Sequence, residues 1–272
     1  MQVYQYMDIG TAKISEGEMA GIRHHLINVV APDVPFDAGL FEDLALKAVL
    51  DISSRGKRVL LTGGTGLYLR ALVTGLSQKL PDFPEIRKEL QEQLEAQGSD
   101  KMHEELMLCD CISANRIHKN DRHRLVRALE IYHGTGKPWS TLLKEHREKS
   151  SLRFPNVLNI GLTCERKTLY QQIGQRTKAM LDGGLKEEVV GLLERGYGPE
   201  LKSMQSIGYR HMLKYLEGEW DYQTMSQNLI RDTRRYAKRQ YTWFNGIEGL
   251  LWFDKSRGGA VADRVGIFLQ SP

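Results

Sequence analysis

Residues 60–72, Leu60-Leu61-Thr62-Gly63-Gly64-Thr65-Gly66-Leu67-Tyr68-Leu69-Arg70-Ala71-Leu72, pass from an aliphatic run through a glycine turn into helical spacing. With Val59 in front, the aliphatic residues read as a buried strand, and Leu67-Tyr68-Leu69 open a helix. A strand that feeds a helix through glycine is the unit of an α/β fold. Glycines there let backbone N–H groups approach a ligand closely, and a helix N-terminus favours negative charge. A tight turn without a ligand explains the same residues about as well, so this stretch speaks to fold and leaves function open.

Outward from it the same grammar repeats. His25-Leu26-Ile27-Asn28-Val29-Val30 reads as a strand ended by Ala31-Pro32, and residues 41–55 carry helical periodicity up to Gly56. Val157 to Thr163 reads as another strand, followed by a helix from about Lys167 to Leu181, and Leu250 to Phe253 as a last strand. This order predicts a mostly parallel sheet covered on both faces. Between Pro81 and Pro155 no strand is expected; Ile86, Leu90 and Leu94 mark one amphipathic helix, and Leu125, Leu129 and Tyr132 another, stopped by Gly134, Gly136 and Pro138. The expected organisation is an α/β core from 1–80 and 155–272, interrupted by a helical insertion domain at 81–154.

The 272 residues are 41% hydrophobic and 26% charged, the balance of a soluble globular protein. No run approaches the ~18 apolar residues of a membrane span, and Met1 is followed by polar residues rather than a signal peptide. Cys109, Cys111 and Cys164 suit neither a disulfide framework nor a zinc site, so reduced thiols in a cytoplasmic protein are expected. The net charge of +4 is unevenly placed. Residues 114–127 set Arg116, Lys119, Arg122, Arg124 and Arg127 against Asp121 alone, and residues 229–244 set Arg231, Arg234, Arg235, Lys238 and Arg239 against Asp232 alone. The remainder is net acidic. Two concentrated basic patches are the footprint of a polyanionic partner, though solvated helix faces would also produce them.

At ~100° per residue, the five cations of the second patch fall within an arc of about 140°. Leu229, Ile230, Tyr236, Ala237, Tyr241, Trp243 and Phe244 fall on the other side, which predicts an apolar face on the core and a cationic stripe outward. Such a stripe suits a phosphate backbone, where contacts position a nucleic acid without reading its sequence. Arg176, one turn beyond Gln172, could pair a diphosphate through its planar fork, although a helical Arg is usually a surface residue. Asp8 could simply shape a turn.

Taken in order, the strings MQVYQYMDIGTAK (1–13), HHLI (24–27), LLTGGTGLYLRAL (60–72), RIHKNDRHRLVRALEIY (116–132), Leu169 to Leu193, SIGYRHM (206–212) and TRRYAKRQYTWF (233–244) resemble the tRNA dimethylallyltransferases, also called tRNA isopentenyltransferases. The resemblance runs from Met1 to about Phe253. It implies a P-loop-kinase-like α/β core with a helical insertion. The implied reaction moves a dimethylallyl group from dimethylallyl diphosphate to the exocyclic amine of the adenosine 3′ of the anticodon in tRNA, with Mg2+ required. By position it makes Arg176 the diphosphate-binding arginine. It matches Met1, Gln2, Thr65 and Arg87 to contacts with the tRNA anticodon stem-loop. Two runs match tRNA-binding segments as well. One is His123, Arg124, Leu125, Val126 and Arg127; the other is Ser206, Ile207, Gly208, Tyr209, Arg210 and His211. No membrane partner is implied, and a monomer is expected.

Departures are few. Lys119 and Arg23 stand where the family usually has proline. The family's phosphate loop, G-x-x-x-x-G-K-[ST], occurs nowhere in these residues, and neither does the Asp-Ser pair that carries its catalytic base. The expectation drawn from this is a core lacking its first strand and P-loop, and a chain that is N-terminally truncated and inactive as written. Two rival readings are a non-catalytic tRNA-binding remnant and an adenylate isopentenyltransferase acting on free nucleotides.

Overall fold

A computed structural model describes residues 1–75, 82–149 and 153–270. Among these the helices are α1 (Ala38–Ser54), α2 (Gly66–Thr74), α3 (Pro84–Cys109), α4 (Cys111–Arg116), α5 (Arg122–Thr135), α6 (Trp139–Lys149), α7 (Arg166–Asp182), α8 (Leu185–Glu194), α9 (Tyr209–Leu216), α10 (Tyr222–Phe244) and α11 (Gly258–Gln270). The strands are β1 (Ile160–Thr163) and β2 (Leu251–Asp254). They pair in parallel, with Ile160 opposite Leu251 and Thr163 opposite Asp254. A parallel pair needs a long crossover, and α7 to α10 supply it.

Local chemistry sets the helix ends. Asp37 caps α1 by accepting from the Gly39 and Leu40 amides at 2.9 Å. Asp121 caps α5, and Gly136 closes that helix in the left-handed region (φ 70°). Asp221 caps α10 through the Thr224 amide at 2.6 Å. The C-terminal half of α10 is tied to the sheet, because Tyr241 stacks on Trp252 and its hydroxyl lies 3.0 Å from Thr163 Oγ1.

Two expected strands do not form. In 25–30, Leu26 (φ 62°) and Asn28 (φ 55°) take left-handed backbone, which interrupts a regular ladder, so the segment's four backbone hydrogen bonds to residues 2–5 amount to one isolated bridge, Val30 to Tyr4. Val59-Leu60-Leu61 is irregular, and no strand partners it among the described residues. Its side chains are 41%, 86% and 38% exposed, so the burial expected of it is absent. The sheet among the described residues is therefore two-stranded and parallel, inside a mostly helical fold.

The chain divides into two compact units, Met1–Leu72 with Phe154–Pro272, and Val73–Arg153. The expected domain boundary at residues 80 and 81 lies outside the described residues. The first unit has a large core in which Tyr4 and Met7 pack with Leu185, Val189, Leu192, Met204, Tyr209, Met212, Met225 and Leu229. A smaller cluster gathers Phe41, Ala45 and Leu72, with Tyr68 stacked on Phe41. In the second unit α3 and α5 bury Leu90, Leu94, Met102, Leu106, Leu125 and Leu129. No described helix is long and apolar enough to cross a membrane.

Candidate active site and nucleic-acid interface

In the first unit, three separate strings of the sequence converge on the loop at residues 7–13. Glu188, on α8, turns its carboxylate into that loop. Its Oε2 accepts from the amides of Asp8 (2.8 Å) and Ile9 (2.7 Å), and its Oε1 from the amide of Gly10 (3.0 Å). The Tyr209 hydroxyl donates to Oε1 at 2.5 Å. Burial and this carboxylate drive the Tyr209 phenol far above its usual range. Successive amides aimed at one point form an anion nest, and here the protein fills it with its own side chain. Gly10 is required by the packing: a Cβ there would lie 2.6 Å from the Tyr209 ring.

Other contacts complete the clamp. Lys13 donates to the Tyr4 carbonyl (2.7 Å), Asp8 Oδ1 (2.5 Å) and Asn28 Oδ1 (2.5 Å). Gln2 Nε2 donates to the Ala12 carbonyl at 2.9 Å. Arg176, exposed on α7, donates from Nη2 to the Thr11 carbonyl at 3.4 Å. That contact uses one donor of a five-donor fork, and the rest can meet an anion. Arg176 is thus brought to the loop that contains Asp8, while Met1 is exposed beside Gln2.

The run from Ser206 to His211 is largely interior. Gly208 (φ 101°) turns the chain into α9, Tyr209 and His211 are buried, and Ile207 packs on the core. Arg210 reaches Asp232 Oδ2 at 2.7 Å, and His211 Nε2 lies 3.3 Å from the same oxygen. These residues therefore shape the floor under the loop, and among them Arg210 reaches furthest toward solvent. Burial lowers the His211 pKa, with Arg210 adding to the effect and Asp232 opposing it.

On α10 the five cations lie together, with Asp232 the one carboxylate among them. Asp232 Oδ1 is 3.4 Å from Arg231 Nε and 3.5 Å from Arg235 Nη1. Arg239 lies over the Tyr236 ring at 5.6 Å, so Tyr236 stays on the exposed side instead of joining the buried face. The glycine turn rests on the far end of this helix. Gln240 Nε2 donates to the Gly64 carbonyl at 3.0 Å, and a Cβ on Gly66 would sit 1.9 Å from the Trp243 indole. Gly64 and Gly66 are explained by that close approach, and Thr65 is exposed between them.

The second unit holds the other matched residues. Arg87 donates from Nε to Glu130 Oε2 (2.9 Å) and from Nη2 to Glu130 Oε1 (2.9 Å) and Asp82 Oδ1 (2.7 Å). Arg127 Nη1 donates to Glu130 Oε1 at 2.8 Å and to Asp82 Oδ1 at 3.0 Å. The Phe83 amide also donates to Glu130, whose side chain is fully buried. Burial alone would push the Glu130 carboxyl up; hydrogen bonds from Arg87, Phe83 and Arg127 outweigh it and hold the pKa below its ordinary value. Leu125 and Val126 lie in the core, so side-chain contact with RNA is closed to them and their part is to carry α5. His123 and Arg124 are exposed, Arg124 with Asp121 at 3.2 Å. Lys119 pairs with Asp100 at 2.9 Å. The basic patch at 114–127 is thus largely matched by carboxylates, and the patch on α10 is not.

Three residues at these sites give little sign of themselves in the sequence. Glu188 sits between Leu169 and Leu193 without a signal of its own. Asp232 reads only as one charge against five. Glu130 does leave a trace, since it falls one helical turn after Val126, on the apolar face of α5. Among the described residues no group of three His, Cys, Asp or Glu side chains could hold a metal ion.

The chain matches the family described as "IPPT: IPP transferase" over residues 2–246. It is 50% identical to the tRNA dimethylallyltransferase of Desulfotalea psychrophila over 270 residues, covering 99% of this chain and 85% of that one. Its fold is similar to the full-length tRNA isopentenylpyrophosphate transferase of Bacillus halodurans, with TM-score 0.69 and 36% identity over 99% of this chain and 86% of that one. It is similar also to a eukaryotic dimethylallyltransferase captured acting on tRNA, with TM-score 0.78 and 30% identity over 98% of this chain and 69% of that one.

Proposed function

The chain belongs to the IPP transferase family, and from that premise we propose that it serves the transfer of a dimethylallyl group from dimethylallyl diphosphate to tRNA. The observation that carries the choice of tRNA over a free nucleotide is the face of α10, where five cations stand with one carboxylate, Asp232, which reaches Arg231 and Arg235 alone among them. A mononucleotide needs no surface of that extent, whereas a phosphate backbone does.

The acceptor is the exocyclic amine of the adenosine 3′ of the anticodon, which must leave its stack to be reached. Its nitrogen bonds to the allylic carbon as the carbon–oxygen bond to diphosphate breaks, and the amine gives up a proton. Arg176 meets the charge that grows on the departing diphosphate, using the donors left over from Thr11. Gln2 and Glu188 hold the loop that faces Arg176. Thr65, Arg210, His123 and Arg124 are exposed enough to touch RNA, and Arg87 and Arg127 are set in place by Glu130. The diphosphate lysine and the base are assigned to no residue of this chain. Magnesium stays part of the proposal; a cation that keeps several waters would bind the substrate phosphates and help neutralise the charge on the departing diphosphate. The P-loop-kinase-like core stays part of the proposal. So do a cytoplasmic setting, supported by three free cysteines, and a monomeric working form.

The test is to supply labelled dimethylallyl diphosphate with magnesium and offer tRNA and adenosine monophosphate in parallel. Label in tRNA alone supports the proposal, and where these residues by themselves turn over neither acceptor, binding of tRNA tighter than binding of adenosine monophosphate supports it. Label in the mononucleotide, at a rate matching or exceeding that in tRNA, overturns it. Arg176→Ala should lower transfer by roughly 100-fold or more, the scale for losing a preorganised charge-stabilising donor.

A further inference from the structure

Two adjoining grooves, of about 570 and 590 Å³, open on the surface of the first unit. They share Tyr170 of α7 and Arg234 of α10. The first groove contains Arg231, Arg235 and Lys238 of the cationic stripe, and the second adds Arg166 and Lys167 from the start of α7. Glu165 is the single carboxylate along their walls.

At the centre, Tyr170 holds two guanidinium groups over its ring, Arg234 at 4.7 Å and Arg166 at 5.1 Å. Its hydroxyl accepts from Arg166 Nε at 3.0 Å. A guanidinium held by its flat face keeps its in-plane N–H donors available. On Arg234 the Nε is shielded from solvent and has no hydrogen-bond partner. The donors it can offer an incoming phosphate are therefore those of its two terminal nitrogens. Because both guanidiniums lie over the Tyr170 ring, the groove is suited to phosphate oxygens more than to a stacked base.

We infer that the tRNA phosphate track does not end on α10 but crosses Tyr170 onto Arg166 and Lys167 of α7, with Tyr170 as the post that fixes the guanidiniums on both sides of the crossing. The inference rests on the reading of α10 as a tRNA surface and extends it to a second helix.

The experiment measures the affinity of the full chain for a tRNA transcript across a series of salt concentrations. Four variants enter it: Arg166→Ala with Lys167→Ala, Tyr170→Leu, the α10 triple Arg234→Ala, Arg235→Ala and Lys238→Ala, and the charge-matched control Lys255→Ala with Arg257→Ala. Each phosphate contact contributes about 0.9 to the slope of log affinity against log salt. The α7 pair should therefore lower the slope by about 1 to 2 for every tRNA tried. Tyr170→Leu should weaken binding while leaving the slope near its original value, because the cations remain and only their placement is lost. The control should leave both affinity and slope unchanged. If the α10 triple lowers the slope and the α7 pair does not, the crossing is wrong and the α10 reading stands. If neither lowers it, the α10 reading itself has failed. A control that matches the α7 pair would show only a diffuse charge effect and would also overturn the crossing. Circular dichroism melts separate any variant that unfolds, and Tyr170→Phe, which keeps the ring but loses the hydroxyl that holds Arg166, should then bind more weakly than the parent and more tightly than Tyr170→Leu.

Discussion

Glu188 accepts four hydrogen bonds from three consecutive amides and one phenol, so its removal should be felt at one loop rather than across the molecule. Hydrogen bonds to a charged acceptor contribute about 1.5 to 3 kcal/mol each when taken singly and do not add. Glu188→Ala should then cost about 2 to 4 kcal/mol in a denaturant melt. Hydrogen exchange at Asp8, Ile9 and Gly10 should speed up while α8 itself stays protected, and unchanged exchange at those amides would contradict the clamp. His211 gives a pH signature. Burial lowers its pKa in the fold from the ordinary 6.5, with Arg210 adding to this and Asp232 only partly offsetting it. Below about 6.5 the unfolded chain binds a proton that the folded chain resists, so stability rises with pH through that window and is complete above it. His211→Gln should flatten the stability profile on the acid side of 6.5, and a profile identical to the parent would contradict this origin. Neither contact is legible in the sequence, which shows which residues carry charge but not which amides a carboxylate will meet.

Helices are legible where an apolar stripe repeats. The stripe of residues 41–55 appears as α1, that of Leu125 and Leu129 as α5, and the basic segment as the C-terminal part of α10. Strands are less so, since a short aliphatic run reads alike whether or not a neighbour pairs with it. Residues 157–163 shorten to β1, which finds β2. Val59 to Leu61 finds no partner among the described residues, and the run at 25–30 is bent by left-handed Leu26 and Asn28. The glycine turn falls where the sequence puts it, but its reason is an element contact, the end of α10 lying on Gly64 and Gly66. Gly66→Ala should therefore displace Trp243 and cost about 1 to 3 kcal/mol, as overpacking does. Trp243 fluorescence and the melting temperature would both report it; an unshifted pair of values would mean that α10 does not bear on the turn. In the second unit, Glu130→Gln should destabilise by about 3 kcal/mol or more, because two guanidiniums lose their buried counter-charge. The parent should lose the same contribution as pH falls below about 4.5, since that carboxyl is held ionised in the fold. A pH-independent difference between parent and variant would contradict the assignment.

For the whole molecule the decisive property is where charge is left unmatched. Both basic patches carry a net +4 in the sequence, yet three cations of the first, Lys119, Arg124 and Arg127, are paired with Asp100, Asp121, Asp82 and Glu130. The second has Asp232 alone, shared with Arg210 and His211. On the proposed function, α10 and its neighbourhood therefore dominate the electrostatics of RNA binding, and this family member grips tRNA by the phosphate backbone through that face. The most direct measurement is the equilibrium affinity of the chain for tRNA as monovalent salt is raised, beside the α10 triple variant. A log–log slope of about 3 to 6 in magnitude is expected for the parent, by the rule of about 0.9 per phosphate. The triple should flatten it by about 2 to 3 and weaken all tRNAs alike. A parent affinity insensitive to salt, or a triple variant that binds as the parent does, would contradict the grip on the phosphate backbone.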